Sequence, residues 1–225
     1  MRVFLLFLLT LLLLPSLAFA KGKVWTENFA SDQNWRVYTQ VPNSATRQGP
    51  TFLGNAQHVC LNATAPVSCP AGATLYGHPG SGWRADLAAI PDARWIWAPG
   101  VTGATTPSDL ARYVFARDVG IPLRGVVTQA WLWVSTDDLA AVYVNGTLIG
   151  TVGSISNPSV STMAQNALTR FNIAAAVKGG RNTVAVVGQN GPPSFGPCAV
   201  ACSYVENPAG TVLGGYVKYV LPRKP

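Results

Sequence analysis

The stretch WLWVSTDDLAAVYVNGTLIG, residues 131–150, holds three short apolar runs and no helical period. WLWV and AAVYV read as strands joined by a short acidic turn at Asp137-Asp138. Asn145-Gly146 then turns the chain into a third strand, TLIG. Asn-Gly is the strongest short hairpin signal, because both residues tolerate the positive φ that a type I′ turn requires. Period-two geometry puts Trp131 and Trp133 on one face, with Ala130, Leu132 and Val134 on the other. Both faces are apolar, so the strand is expected to be covered on both sides, with the tryptophans in core or inter-sheet positions.

Similar runs recur on both sides of this stretch, between clusters of Gly, Pro, Asn and Asp. VWTENF, WRVYTQV, AQHVCL and RWIWA precede the opening stretch, together with RYVFARDV. RFNI, NTVAVVG and GGYVKYVL follow it. Their spacing predicts an antiparallel all-β domain. The single helix-like piece is FNIAAAVKGG, about 171–178, stopped by Gly179-Gly180. Residues 42–91 are rich in Gly, Pro, Ala and Thr and read as long loops around short strands. No internal repeat is present.

Residues 1–20 read as a leader outside the fold. Arg2 opens it, VFLLFLLTLLLL is its apolar centre, and Ala18-Phe19-Ala20 is a cleavage signature. The run is short for a span of about 20 residues. The expectation is therefore an exported chain, secreted or periplasmic, with one sandwich domain over 21–225 and no membrane anchor after cleavage. Loss of Arg2 leaves 15 basic residues against 9 acidic ones. The excess is diffuse and forms no basic run, which argues against a nucleic-acid groove. Only 11% of residues are charged.

Four cysteines in an exported chain favour disulfides. Of three pairings, the local one is expected: Cys60–Cys69 and Cys198–Cys202, each bracketing a loop. The competing reading is zinc, with His58 and His78 flanking the first pair; no metal site is expected. Asn62-Ala63-Thr64 and Asn145-Gly146-Thr147 match the N-glycosylation pattern, but Asn145 is better explained by its turn.

From Ala93 onward the order of motifs resembles the galactose-binding-like jelly roll, the sandwich of many carbohydrate-binding modules and glycosidase accessory domains. The pieces that carry the likeness are ARWIWAPG at 93–100, RYVFARDV at 112–119 and the 131–150 stretch. A return segment at 168–190 and a closing strand at 214–221 complete it. The resemblance covers about residues 93–221, with loop-rich strands over 21–92 unmatched. It implies an antiparallel jelly-roll β-sandwich with long disulfide-stapled loops, and a ligand site in the loops at one end. Such sites sometimes adjoin a structural calcium ion, which is left open here because clustered acids are few.

Candidate catalytic residues are scarce. There is no G-x-S-x-G elbow, no H-E-x-x-H and no P-loop. Asp137 and Asp138 are adjacent, and on a strand they would point to opposite faces, a poor acid–base pair. They read instead as a turn that bonds its own backbone. Trp83 follows a Gly/Pro-rich turn, with Arg84 and Asp86 beside it, and is a candidate sugar-stacking residue. The loop 188–213 is the other candidate surface: Gln189 and Asn190 offer amides, Phe195 and Tyr204 offer rings. The competing reading is a plug for Trp83 and a stapled structural loop for 188–213. The functional expectation is a non-enzymatic module with no cofactor that binds carbohydrate or a cell-surface polymer. The alternative is a structural surface or appendage protein that self-associates.

Overall fold

The computed structural model describes residues 23–39, 50–60, 75–76, 83, 85–106, 108–195, 197–198 and 200–222. In chain order the strands are β1 (Val24–Ala30), β2 (Arg36–Thr39), β3 (Phe52–Asn55), β4 (Gln57–Cys60), β5 (Leu75–Tyr76), β6 (Ile96–Trp97), β7 (Arg112–Ile121) and β8 (Val126–Asp137). They continue with β9 (Leu139–Val144), β10 (Thr147–Gly153), helix α1 (Pro158–Asn166), β11 (Thr169–Asn172), β12 (Gly180–Gln189) and β13 (Gly210–Val220).

Two sheets form an all-β sandwich. The first runs β11-β8-β13-β6-β4-β5, and β1 also pairs with β13. The second runs β10-β9-β12-β7-β2-β3. Pairing is antiparallel throughout, except for the two-residue contact of β4 with β5. Strands from the N-terminal third thus join both sheets: β1 on β13, β2 on β7 and β4 on β6. Alternation sets the interior. Leu132, Val134, Leu213 and Val217 of the first sheet face Phe115, Val142, Val144, Val184 and Val186 of the second, all fully buried or nearly so. Burying such side chains contributes about 1.5–3 kcal/mol each before entropy is counted. Trp95, Ile96 and Trp97 are all buried. Trp97 lies edge-on to Tyr113, with ring centroids 5.4 Å apart.

The Asn145-Gly146 turn closes the β9–β10 hairpin with φ of 51° and 80°. Asn145 does more than turn. Its amide donates to the Ala176 carbonyl at 2.8 Å and to Asn182 at 2.9 Å, and its oxygen accepts from the Thr183 N–H at 3.0 Å.

Two expectations fail. The acidic turn does not close a hairpin: β8 lies in the first sheet and β9 in the second, so Asp137-Asp138 carries the chain across the sandwich. The helix is not at 171–178. Thr169–Asn172 pairs with β8, with Phe171 opposite Leu132, and 173–177 form only a turn. Phe171 gains a ladder and a core contact that an exposed helical turn would forgo. The helix instead spans Pro158–Asn166, where the Asn157 side chain caps the Ser159 and Val160 N–H groups and Pro158 occupies the first turn.

Cys198 and Cys202 are joined, with Cα atoms 5.7 Å apart. Cys60 is disulfide-bonded, whereas Cys69 and His78 lie outside the described residues. His58 is on β4, and its two ring nitrogens have no hydrogen-bond partner.

Candidate functional site

Two places in the fold gather polar and aromatic groups. The first is the corner between the sheets. The strand ends between Asp137 and Asp138, so their carboxylates converge, contrary to the opposite-face expectation. The Gln165 amide donates to Asp137 Oδ1 at 2.5 Å and to Asp138 Oδ1 at 3.3 Å. The Trp83 indole N–H donates to Asp137 Oδ2 at 2.7 Å, and the Gly191 N–H to Asp138 Oδ2 at 2.6 Å. The Ser161 hydroxyl donates to Asp138 Oδ1. Both acids are buried. Burial pushes the Asp137 carboxyl well above the usual carboxylate range, and the neighbouring Asp138 adds to the rise. The Trp83 and Gln165 hydrogen bonds work against it.

This corner opens to a small cavity of about 130 Å³, bordered by Thr162, Phe195 and Asn207. It is a knot of internal bonds that fastens α1 and the 188–213 loop to the corner. Its carboxylate oxygens face N–H and O–H donors, so the arrangement does not fit calcium, which takes six or more oxygen ligands of its own. Asp109 stands close to Cys198 and Cys202, but those sulfurs are bonded to each other.

The candidate residues at this end are mostly structural. Trp83 is only 7% exposed and stacks on Trp95 at 4.3 Å, so it presents no open face. Tyr204 is 1% exposed and donates to the Ala209 carbonyl at 2.6 Å. Burial raises its hydroxyl well above the ordinary phenol value. Asn190 is fully buried, and its amide donates to the Ser108 and Asn207 carbonyls. Gln189 is half-buried in the β12 ladder, opposite Arg112 and Leu139. Phe195, half-buried, borders the small cavity. Arg84 lies outside the described residues. The sequence could not separate these cases, because a loop rich in Gly and Pro can fold back onto a sheet as readily as it stands clear.

The second place is the outer face of the first sheet. α1 covers one end, where the Ser135 hydroxyl donates to the Ala164 carbonyl at 2.6 Å. Ile90 packs over Gly214, where a Cβ would meet it at 3.0 Å. Beyond that cover the face is open among the described residues. Trp131 and Trp133 stand there half-buried, not in the core as expected. Tyr216 is opposite Trp131 in register and 5.8 Å from the Trp133 ring. Arg170 lies over the Trp131 ring at 4.2 Å, and Lys218 over Tyr216 at 5.1 Å.

Tyr216 also borders a cleft of about 310 Å³ between β1 and the 3-10 turn Leu87–Ala89. Asn28, Asp32, Asp92 and Arg117 supply its polar rim, and Phe29 and Ile90 an apolar floor. Arg117 is fixed by the Ala30 carbonyl at 3.1 Å and Asp32 at 3.2 Å. Tyr216 is common to the cleft and to the group of rings. The i, i+2 pair Trp131/Trp133 was the sequence signal for this face. Its exposure depends on how far α1 reaches along the sheet, which periodicity does not report.

No family model and no curated protein matches this chain. Among solved structures it is similar to an apo-form lectin from Pleurotus ostreatus, at 22% identity and TM-score 0.39, over 57% of this chain and 31% of the lectin. It is similar to an alpha-L-rhamnosidase from Streptomyces avermitilis complexed with L-rhamnose, at 20% and 0.41, over 65% and 14%. It is also similar to a beta-glucuronidase from Ruminococcus gnavus, at 12% and 0.41, over 88% and 29%. The chain spans less than a third of the length of each. Likenesses this distant say nothing about what this chain binds.

Proposed function

We propose that this chain is a secreted, non-enzymatic module on a jelly-roll-type sandwich that binds a carbohydrate or cell-surface polymer. The site in this reading is the open outer face of the first sheet, not the loop end. The observation that carries it is the run of half-exposed rings, Trp131, Trp133 and Tyr216, leading into a cleft rimmed by Asn28, Asp32 and Asp92. Aromatic faces cover the apolar side of a pyranose ring, and directional polar groups select its hydroxyls. Catalysis finds no support at the Asp137–Asp138 pair, because both acids are buried and held by internal donors. Affinity is expected at about 10 μM to 1 mM, typical of a shallow surface with few converging groups.

A glycan array with the mature protein, run beside light scattering, tests this. Binding that weakens at least about tenfold in Trp133→Ala, with the melting temperature held, supports the reading. Concentration-dependent self-association without glycan binding would replace it with the structural alternative.

A further inference from the structure

Resting on that reading, we infer that the ligand is an acidic polysaccharide in which charged and neutral sugars are interspersed. The open face is cationic. Arg170 and Lys218 sit over Trp131 and Tyr216, and among the described residues neither has a carboxylate partner. The cross-strand neighbours on this face are Thr26, Asn28, Gln129 and Asn172, none of them acidic.

A neutral sugar stacking on Trp131 or Tyr216 would have to displace a cation from the ring. An anionic sugar has no such conflict. It accepts hydrogen bonds from the guanidinium and ammonium where they stand, and these are the stronger, charge-assisted kind. Trp133 carries no cation and leaves one ring for an uncharged sugar. The adjoining cleft is less favourable to anions: its Arg117 is already paired with Asp32 at 3.2 Å, and Asp92 leaves the rim with one more carboxylate than cation. A chain charged at every unit would place charge against those carboxylates. One charged only at intervals fits cleft and ring ledge together. This also argues against single-stranded nucleic acid, which carries a phosphate at each step and is held by many more cations.

The test compares paired polymers. Hyaluronan, charged at alternate units, and polygalacturonate, charged at every unit, are each measured against their neutral carboxyl-reduced forms, with wild type and an Arg170→Gln/Lys218→Gln variant. The wild type is expected to bind hyaluronan about tenfold tighter than its neutral partner at about 50 mM salt, to lose that preference near 500 mM, and to bind polygalacturonate more weakly than hyaluronan; tighter binding of polygalacturonate than of hyaluronan overturns the inference. The double variant should bind both forms alike, with an unchanged melting temperature. Equal binding of charged and neutral forms by the wild type overturns the inference and leaves the carbohydrate reading standing. Tighter binding of single-stranded DNA than of any glycan also overturns it. Binding of no polymer at all brings down the carbohydrate reading, and this inference with it.

Discussion

The indole N–H of Trp83 donates to Asp137 Oδ2 at 2.7 Å across 54 positions of sequence. A residue that looked from the sequence like an open stacking platform is in fact a buried donor to a buried acid. Trp83→Phe keeps an aromatic ring beside Trp95, removes that donor and takes away part of the indole packed against Gly210. It should lower stability by about 1–3 kcal/mol, since a buried acceptor loses its partner. Denaturant titration measures this. Glycan affinity should stay unchanged, which separates the corner from the binding face.

The same corner makes stability depend on pH. The folded-state pKa of Asp137 is raised above its ordinary value of 3.8 by burial and by Asp138. Its contribution is therefore fully present below that ordinary value and is lost as pH rises through the folded value. His58 works the other way, because burial lowers its pKa and acidification charges it. The difference between wild type and Asp137→Asn isolates the carboxyl. Between pH 5 and pH 7, the wild-type melting temperature should fall relative to the variant's. A constant difference would mean that Asp137 is ionised in the fold.

At the hairpin, Asn145→Ala should destabilise by about 2 kcal/mol, by losing three hydrogen bonds and straining a positive φ. Asn145→Gly should cost roughly 1 kcal/mol, because glycine accepts the φ and loses only the bonds. Equal losses for the two would show that the backbone conformation is immaterial there. Gly153→Ala should be far worse, since its Cβ would collide with the Asp138 carbonyl at the sheet crossing.

Replacing Cys198 and Cys202 by serine should lower stability by about 2 kcal/mol through the freed unfolded chain. Glycan binding should survive, because that loop lies at the corner and away from the ring ledge. Loss of binding without loss of stability would return the loop end to candidacy.

The fold was legible where local chemistry decides. Asn145-Gly146 announced its turn, and Leu132 and Val134 followed the period-two rule into the core. What stayed hidden depended on neighbours distant in sequence. SNPSVSTMAQN has almost no apolar period, so α1 showed only through its Asn157 cap and Pro158. Asp137 and Asp138 converge because the strand switches sheets between them, an event that no spacing encodes. Trp83 and Trp131 exchanged expected roles for the same reason. The loop cover that buries one and the open sheet that bares the other are tertiary facts.

If ligand meets the outer face of the first sheet, the seven tryptophans report it. Each indole N–H gives its own NMR signal. Titration with an array-positive glycan should shift the Trp131 and Trp133 signals in a saturable way. The signals of Trp35, Trp83, Trp95 and Trp97, buried within the sandwich and its corner, should hold still. Saturable shifts at Trp83, with Trp131 and Trp133 unmoved, would contradict the account and place the ligand at the loop end.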